Sequence, residues 1–186
     1  MRQILFYIMI LSFFSSCVNI EFKNPQPADK INLEEFPSTL IGNYKLLTDT
    51  FKIDKTSIHI PVQLFEDRTE PKKYTISDSV ILRYFKKEYF LNVKSKNNQW
   101  DVFTLRINRD ENILVKSTSS FYFIVENDSL VSNHEFEREN ELKKLMRDNN
   151  YPAVKNSYSI DPTRKELRLL MRKNLFQKLI ELERVE

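Results

Sequence analysis

One glycine in 186 residues is the first constraint on this chain. A Walker loop needs several glycines to bring backbone N–H groups to phosphate, and a dinucleotide-binding fingerprint needs three. The strained turn of a serine nucleophile elbow needs glycine on both sides of the serine. None of these can be built around Gly42 alone. Turns must instead use Asn and Asp, which tolerate a left-handed backbone. KNNQ (96–99), NRDEN (108–112) and ENDS (126–129) have that composition. Histidine is nearly as scarce. His59 and His134 are the whole set, and neither has a second His or Cys at ligand spacing, so no metal site is expected. No nucleophile–base pair is legible, so no catalytic residue and no cofactor are assigned. With 29 Lys and Arg against 26 Asp and Glu, the net charge is only +3, which leaves no electrostatic footprint for nucleic acid.

Cysteine occurs once, as Cys17, where the opening apolar run stops. Arg2 supplies a positive start, residues 4–14 are apolar except for Ser12, and Ser15 and Ser16 are small. That order is the pattern of a secretory signal peptide. A spanning helix needs about 20 apolar residues, and this run is shorter. Ser15-Ser16-Cys17 after an apolar run resembles the lipobox of bacterial lipoproteins, with Phe14 in place of the usual leucine. The resemblance implies cleavage before Cys17 and acylation of its sulfur and its new amino group. Stable anchoring takes at least two lipid signals, each acyl methylene contributing about 0.8 kcal/mol, and a multiply acylated cysteine meets that condition. The mature chain would then hold no free thiol and no disulfide, and its fold must stand on its core.

Residues 1–16 are therefore expected to be the signal peptide. Residues 17–36 are expected to be the lipidated cysteine and a flexible tether, since they lack periodicity and carry Pro25 and Pro27, the alternative being that part of the segment packs on the domain as an edge through Leu33 and Phe36. Extended, about 19 residues reach roughly 60 Å. Residues 37–186 form one domain, long enough for a proper core.

Within that domain, TLIGNYKLL (39–47), SIHIPVQLF (57–65), DSVILRYF (78–85), EYFLNVK (88–94), QWDVFTLRI (99–107), NILVKST (112–118) and FYFIVE (121–126) read as strands. Lys86 and Lys87 make a tight hairpin, and Pro61 marks an edge or a bulge. Several runs are apolar on both faces, so both must be covered, by helices, by a second sheet or by curling into a barrel. The period then changes. HEFERENELKKLMRDN (134–149) and PTRKELRLLMRKNLF (162–176) are amphipathic helices, the second capped by Asp161, and 177–185 is a last strand. The expected fold is α+β: a curved antiparallel β-meander of about seven strands, barrel-like in its tighter form, with two C-terminal helices.

ELKKLMRDN (141–149) and ELRLLMRKN (166–174) share six of nine residues, which two amphipathic helices drawn from one biased alphabet account for. Glu135, Glu137, Glu139 and Glu141 form a solvated, dipole-complementing helix start. Arg164, Lys165, Arg168, Arg172 and Lys173 form the wet face of the second helix. Asp78-Ser79-Val80 and Asp128-Ser129-Leu130 are similar to the O-glycosylation acceptor motif of exported Bacteroidota proteins, which makes Ser79 and Ser129 candidate acceptors. Gly42-Asn43-Tyr44 resembles the G-x-W of lipocalins, with Tyr for Trp. The organisation as a whole resembles the small lipoproteins common in Bacteroidota. Val18 after Cys17, where an inner-membrane retention signal has Asp, and the lack of an acidic patch beyond Glu21 imply an outer-membrane lipoprotein facing the periplasm, partnered by the membrane through its anchor and by an envelope protein. Its role is expected to be a non-catalytic interaction or structural module, the alternative being a lipocalin-like carrier of an apolar small molecule.

Overall fold

A computed structural model describes residues 18–61, 72–126, 129–134, 136–154 and 157–185. Among the described residues the fold is α+β, a strongly curved sheet with two helices in its C-terminal part. The first strands are β1 (Asn19–Phe22), β2 (Gly42–Leu46), β3 (Asp49–Ile53), β4 (Ser57–Ile60) and β5 (Lys72–Thr75). Then come β6 (Val80–Phe85), β7 (Glu88–Lys94), β8 (Trp100–Ile107) and β9 (Ile113–Ser117). β10 (Phe121–Glu126) and β11 (Ser129–His134) make a separate two-stranded hairpin. Helix α1 (Phe136–Asp148), β12 (Ala153–Val154), β13 (Ser157–Ile160), helix α2 (Arg164–Arg172) and β14 (Gln177–Val185) complete the chain.

Twelve strands share one sheet, more than the seven expected. The extra ones, such as β3 and β5, are short and mostly polar, and isolated four- or five-residue runs of that kind give little periodic signal. The order β6-β7-β8-β9-β14-β2-β3-β4-β5 is antiparallel throughout. It is not a simple meander, because the C-terminal β14 is inserted between β9 and β2. β1 attaches at the start of β8 through Phe22 and Trp100, and pairs with β13 in parallel.

The sheet does not close, but it curls far. β5 pairs only with β4 and β6 only with β7 among the named strands, yet residues 76–79 alone join those two end strands. Five Cα steps reach at most ~18 Å. The sheet's two ends therefore face each other. Residues 33–36 bridge part of the seam: the Leu33 N–H donates to the Leu82 carbonyl of β6, and the Phe36 N–H to the Lys55 carbonyl of the β3–β4 turn, both at 2.8 Å.

That contact corrects one expectation. Residues 18–36 are not a free tether. Val18, Ile20 and Phe22 are at most 2% exposed and belong to the core. Burial of each such side chain contributes about 1.5–3 kcal/mol, which offsets much of the entropy lost in ordering residues 18–22. Further on, Asn92 holds the backbone of Gln26, accepting from its N–H at 2.5 Å and donating to its carbonyl at 2.9 Å. Arg83 donates to the carbonyls of Pro25 and Pro27 at 2.6 and 2.8 Å. Residues 18–36 belong to the folded domain that was expected to begin at 37.

Strand alternation divides the core into two clusters. On β6, Val80 and Leu82 face the hollow of the sheet, while Ile81 and Phe85 face the helices. On β7 and β8, Leu91 and Leu105 belong to the hollow, and Phe90, Trp100 and Val102 to the helix side. There α1 places Leu142, Leu145 and Met146, and α2 places Leu167 and Leu170. The sequence echo between the helices is thus two equivalent apolar stripes on one layer. Both also end alike. Asn150 and Asn174 take left-handed φ values of 59° and 60°, and the next N–H reaches back five residues to Met146 and Leu170. With glycine absent, Leu47, Lys86, Lys87, Asn98 and Glu111 also carry positive φ. Lys86 and Lys87, at 55° and 66°, form the expected tight hairpin.

Three local expectations change. The N-cap of α2 is Thr163 and not Asp161: its side chain accepts from the Glu166 N–H, and Glu166 accepts from the Thr163 N–H. This reciprocal pair satisfies two orphan donors where Asp161 would serve one. Pro61 lies just beyond β4, which is flanked by β3 and β5, so the proline ends a strand that is not an edge. Glu139 is 2% exposed, not solvated; it pairs with Lys143 one turn on, beside the buried Arg138, which donates to the Leu175 carbonyl at 2.8 Å.

Candidate functional site

The hollow of the sheet holds a pocket of about 130 Å³. One wall is made by Phe51 and Ile53 of β3, Ile58 and Ile60 of β4, and Tyr74 of β5. Facing it are Leu91 and Val93 of β7 with Phe103 and Leu105 of β8. Ile113 and Val115 of β9 and three residues of β14 form the floor. Strict alternation would turn only every second residue of β14 inward. The register slips between Lys178 and Ile180, and the consecutive pair Leu179 and Ile180 both line the pocket along with Leu182. A bulge that re-aims a side chain is the usual device for this.

Among the described lining residues none carries a charge, and the Tyr74 hydroxyl is their only polar side-chain group. Water needs two to four polar partners to occupy a cavity, and apolar cavities near this size stay dry and accept small apolar molecules. The pocket is thus a place where carbon can go and water gains little.

Polar groups gather at one end. Asp101 lies two residues before Phe103 on the same face of β8, directly opposite the lining residue Val93. Lys72, paired with the lining residue Ile60, lies two residues before Tyr74 on the facing wall. Its Nζ sits 4.7 Å from the centre of the Tyr74 ring. Glu21 of β1 is buried nearby and accepts from the Ser95 hydroxyl at 3.3 Å. Burial pushes the Asp101 carboxyl above its ordinary value, the charge of Glu21 pushes it the same way, and Lys72 opposes both.

The single glycine has a structural place on the closed side of the hollow. Gly42 has φ 157°, and a Cβ there would lie 3.3 Å from Nη2 of Arg184. That guanidinium lies over the Tyr44 ring at 5.7 Å and donates to the Ile41 carbonyl at 2.9 Å. Tyr44 is fully buried and donates to the Leu40 carbonyl at 2.9 Å.

The residues singled out by sequence do not converge on the pocket. Cys17 lies outside the described residues, immediately before the buried Val18. Ser79 is exposed in the turn before β6, its Oγ 3.1 Å from that of Ser77. Ser129 opens β11. His59 is half-exposed, with Nε2 3.0 Å from an Asp54 oxygen. Among the described residues, no cluster of three His, Cys, Asp or Glu could hold a metal ion, and no helix is long and apolar enough to cross a membrane. Asp101 and Lys72 were not singled out, although QWDVFTLRI carries Asp101 in phase with Phe103, Leu105 and Ile107, and a charge in the apolar phase of a strand is a readable signal.

Comparison of the chain with protein-family models, curated proteins and solved structures gives no match.

Proposed function

We propose that this domain is a non-catalytic binding module, tethered to the outer membrane through an acylated Cys17 and facing the periplasm, whose curled sheet receives an apolar group. The observation that carries the binding reading is the pocket, a water-poor space of about 130 Å³ walled by carbon inside the curled sheet. A sheet built only as a scaffold gains by filling such a space, because every void forfeits dispersion contacts. The lipid tether rests on the lipobox-like segment at residues 15–17.

The binding reading is tested on residues 17–186 with Cys17→Ser, which contain every described element. Addition of n-octanol should shift the methyl resonances of Val93, Val115 and Leu182 together, saturably. Shifts scattered over exposed methyl groups, or none, would remove the reading. The tether is tested by mass spectrometry of the N-terminal peptide from native membranes. A chain starting at Cys17 with added acyl mass is expected, and an unmodified Cys17 would count against it.

A further inference from the structure

We infer that the pocket takes an amphiphile with a cationic head, its alkyl part among the carbon walls and its ammonium against Asp101; this rests on the reading of the pocket as a binding site. The placement follows from register. Asp101 and Lys72 both extend the pocket-facing phase of their strands by one step beyond the last lining residue, from opposite walls. An alkyl chain lying along the pocket therefore ends between them.

Charge decides which head fits. Glu21 from β1 and Asp101 from β8 contribute two carboxylates at this end, against the single amine of Lys72 from β5. From β7, the residue opposite Asp101 is the uncharged Val93, while the neighbouring Lys94 has its Nζ over the Trp100 ring on the other face. Among the described residues the balance at the rim is negative. The two candidate head ligands also differ in what they already have. Lys72 lies over Tyr74, a cation–π contact that partly replaces water. Asp101, half-buried, has no hydrogen bond or ion pair at contact distance among the described residues. A half-buried carboxylate without a partner is destabilising to the empty protein, and an ammonium is the group that would satisfy it. Charge-assisted hydrogen bonds of this kind are about twice as strong as neutral ones.

The experiment compares n-octylamine, n-octanol and n-octanoate at pH 7 on residues 17–186 with Cys17→Ser, by calorimetry and by the same methyl resonances. Octylamine should bind about tenfold more tightly than octanol, the part of a charged hydrogen bond that survives partial exposure, and octanoate should bind most weakly. Asp101→Asn should bring octylamine down to the octanol level and leave octanol unchanged. Lys72→Gln, which removes a like charge from the head's surroundings, should tighten octylamine and leave octanol unchanged. Equal binding of octylamine and octanol, with both in the pocket, would overturn the cationic head and leave the pocket reading standing. Tightest binding by octanoate would overturn it in favour of Lys72. Absence of pocket shifts with all three would remove both readings.

Discussion

Adding one methylene to the pocket wall separates a true void from a tightly packed core by the sign of its effect. Val115 is 8% exposed on β9 and lines the pocket; Val93 on β7 lines the wall near its polar end. Loss of core volume costs about 24 cal/mol per Å³ of cavity left behind. Applied to about 130 Å³, filling the whole pocket could recover at most about 3 kcal/mol. A single methylene accounts for only part of that, and its burial is worth about 0.8 kcal/mol. Val115→Ile is therefore expected to stabilise the domain by about 0.5–1 kcal/mol. The same substitution in a filled core would destabilise by about 1–3 kcal/mol through strained rotamers. Urea unfolding of residues 17–186 with Cys17→Ser decides between them, since the midpoint moves in opposite directions while the slope should not change. Val93→Ile repeats the test from the opposite wall. Octanol affinity should fall in both variants as stability rises. Destabilisation by both valine-to-isoleucine changes would refute the cavity argument.

Three further outcomes follow from the described contacts. Asn92→Ala should cost about 3 kcal/mol, because Asn92 is fully buried and its loss strips partners from the Gln26 backbone and from the carbonyls of Ile81 and Phe90. Hydrogen exchange should then accelerate at Gln26 first, and a loss no larger than that of an exposed Asn→Ala change would contradict the clamp. Replacing Lys86 by Asn and Lys87 by Gly should raise stability by about 1 kcal/mol or more in thermal unfolding, since both lysines hold left-handed φ in a two-residue hairpin where Asn-Gly is preferred. Asp101→Asn should stabilise the empty domain at neutral pH. The folded-state pKa of Asp101 lies above its unfolded value, so its stability deficit is absent below the unfolded pKa and appears as pH rises through the folded one. The two stability curves should meet in acid and separate towards neutrality, and parallel curves would deny the carboxylate's role.

The layering of this fold was legible because it is written in alternation. Val80, Leu82 and Phe85, or Phe90 and Leu91, already say that both faces of β6 and β7 must be covered. The Lys86-Lys87 hairpin and the terminal strand were readable from local pattern, as was the mostly helical content of residues 134–149. Partner choice was not. That β14 separates β9 from β2, and that β1 runs parallel to β13, depends on pairings that span 60 to 69 positions for β9 and 138 to 142 for β2 and β13. Residues 18–36 were misread for a related reason. Their order is imposed from outside, by Asn92 and Arg83, and neither side chain differs in sequence from an ordinary surface Asn or Arg. The pocket is harder still to see, since a lining leucine and a packed leucine are the same letter.

The burial of Val18 has a mechanical consequence. Under the proposed anchorage the acyl group and the first strand are adjacent residues, with no slack between lipid and fold. The domain then cannot swing at the end of a leash to search the periplasm; it stands at a fixed height with one side permanently towards the headgroups. Tension applied to the lipid passes straight into β1, along the strand axis and across its four-residue parallel register with β13. Hydrogen bonds pulled in that direction share the force instead of opening one by one. Drawing such an anchor out of a bilayer would strain the sheet and the helix-side core together, so the grip of the membrane and the integrity of the fold would be read by the same force.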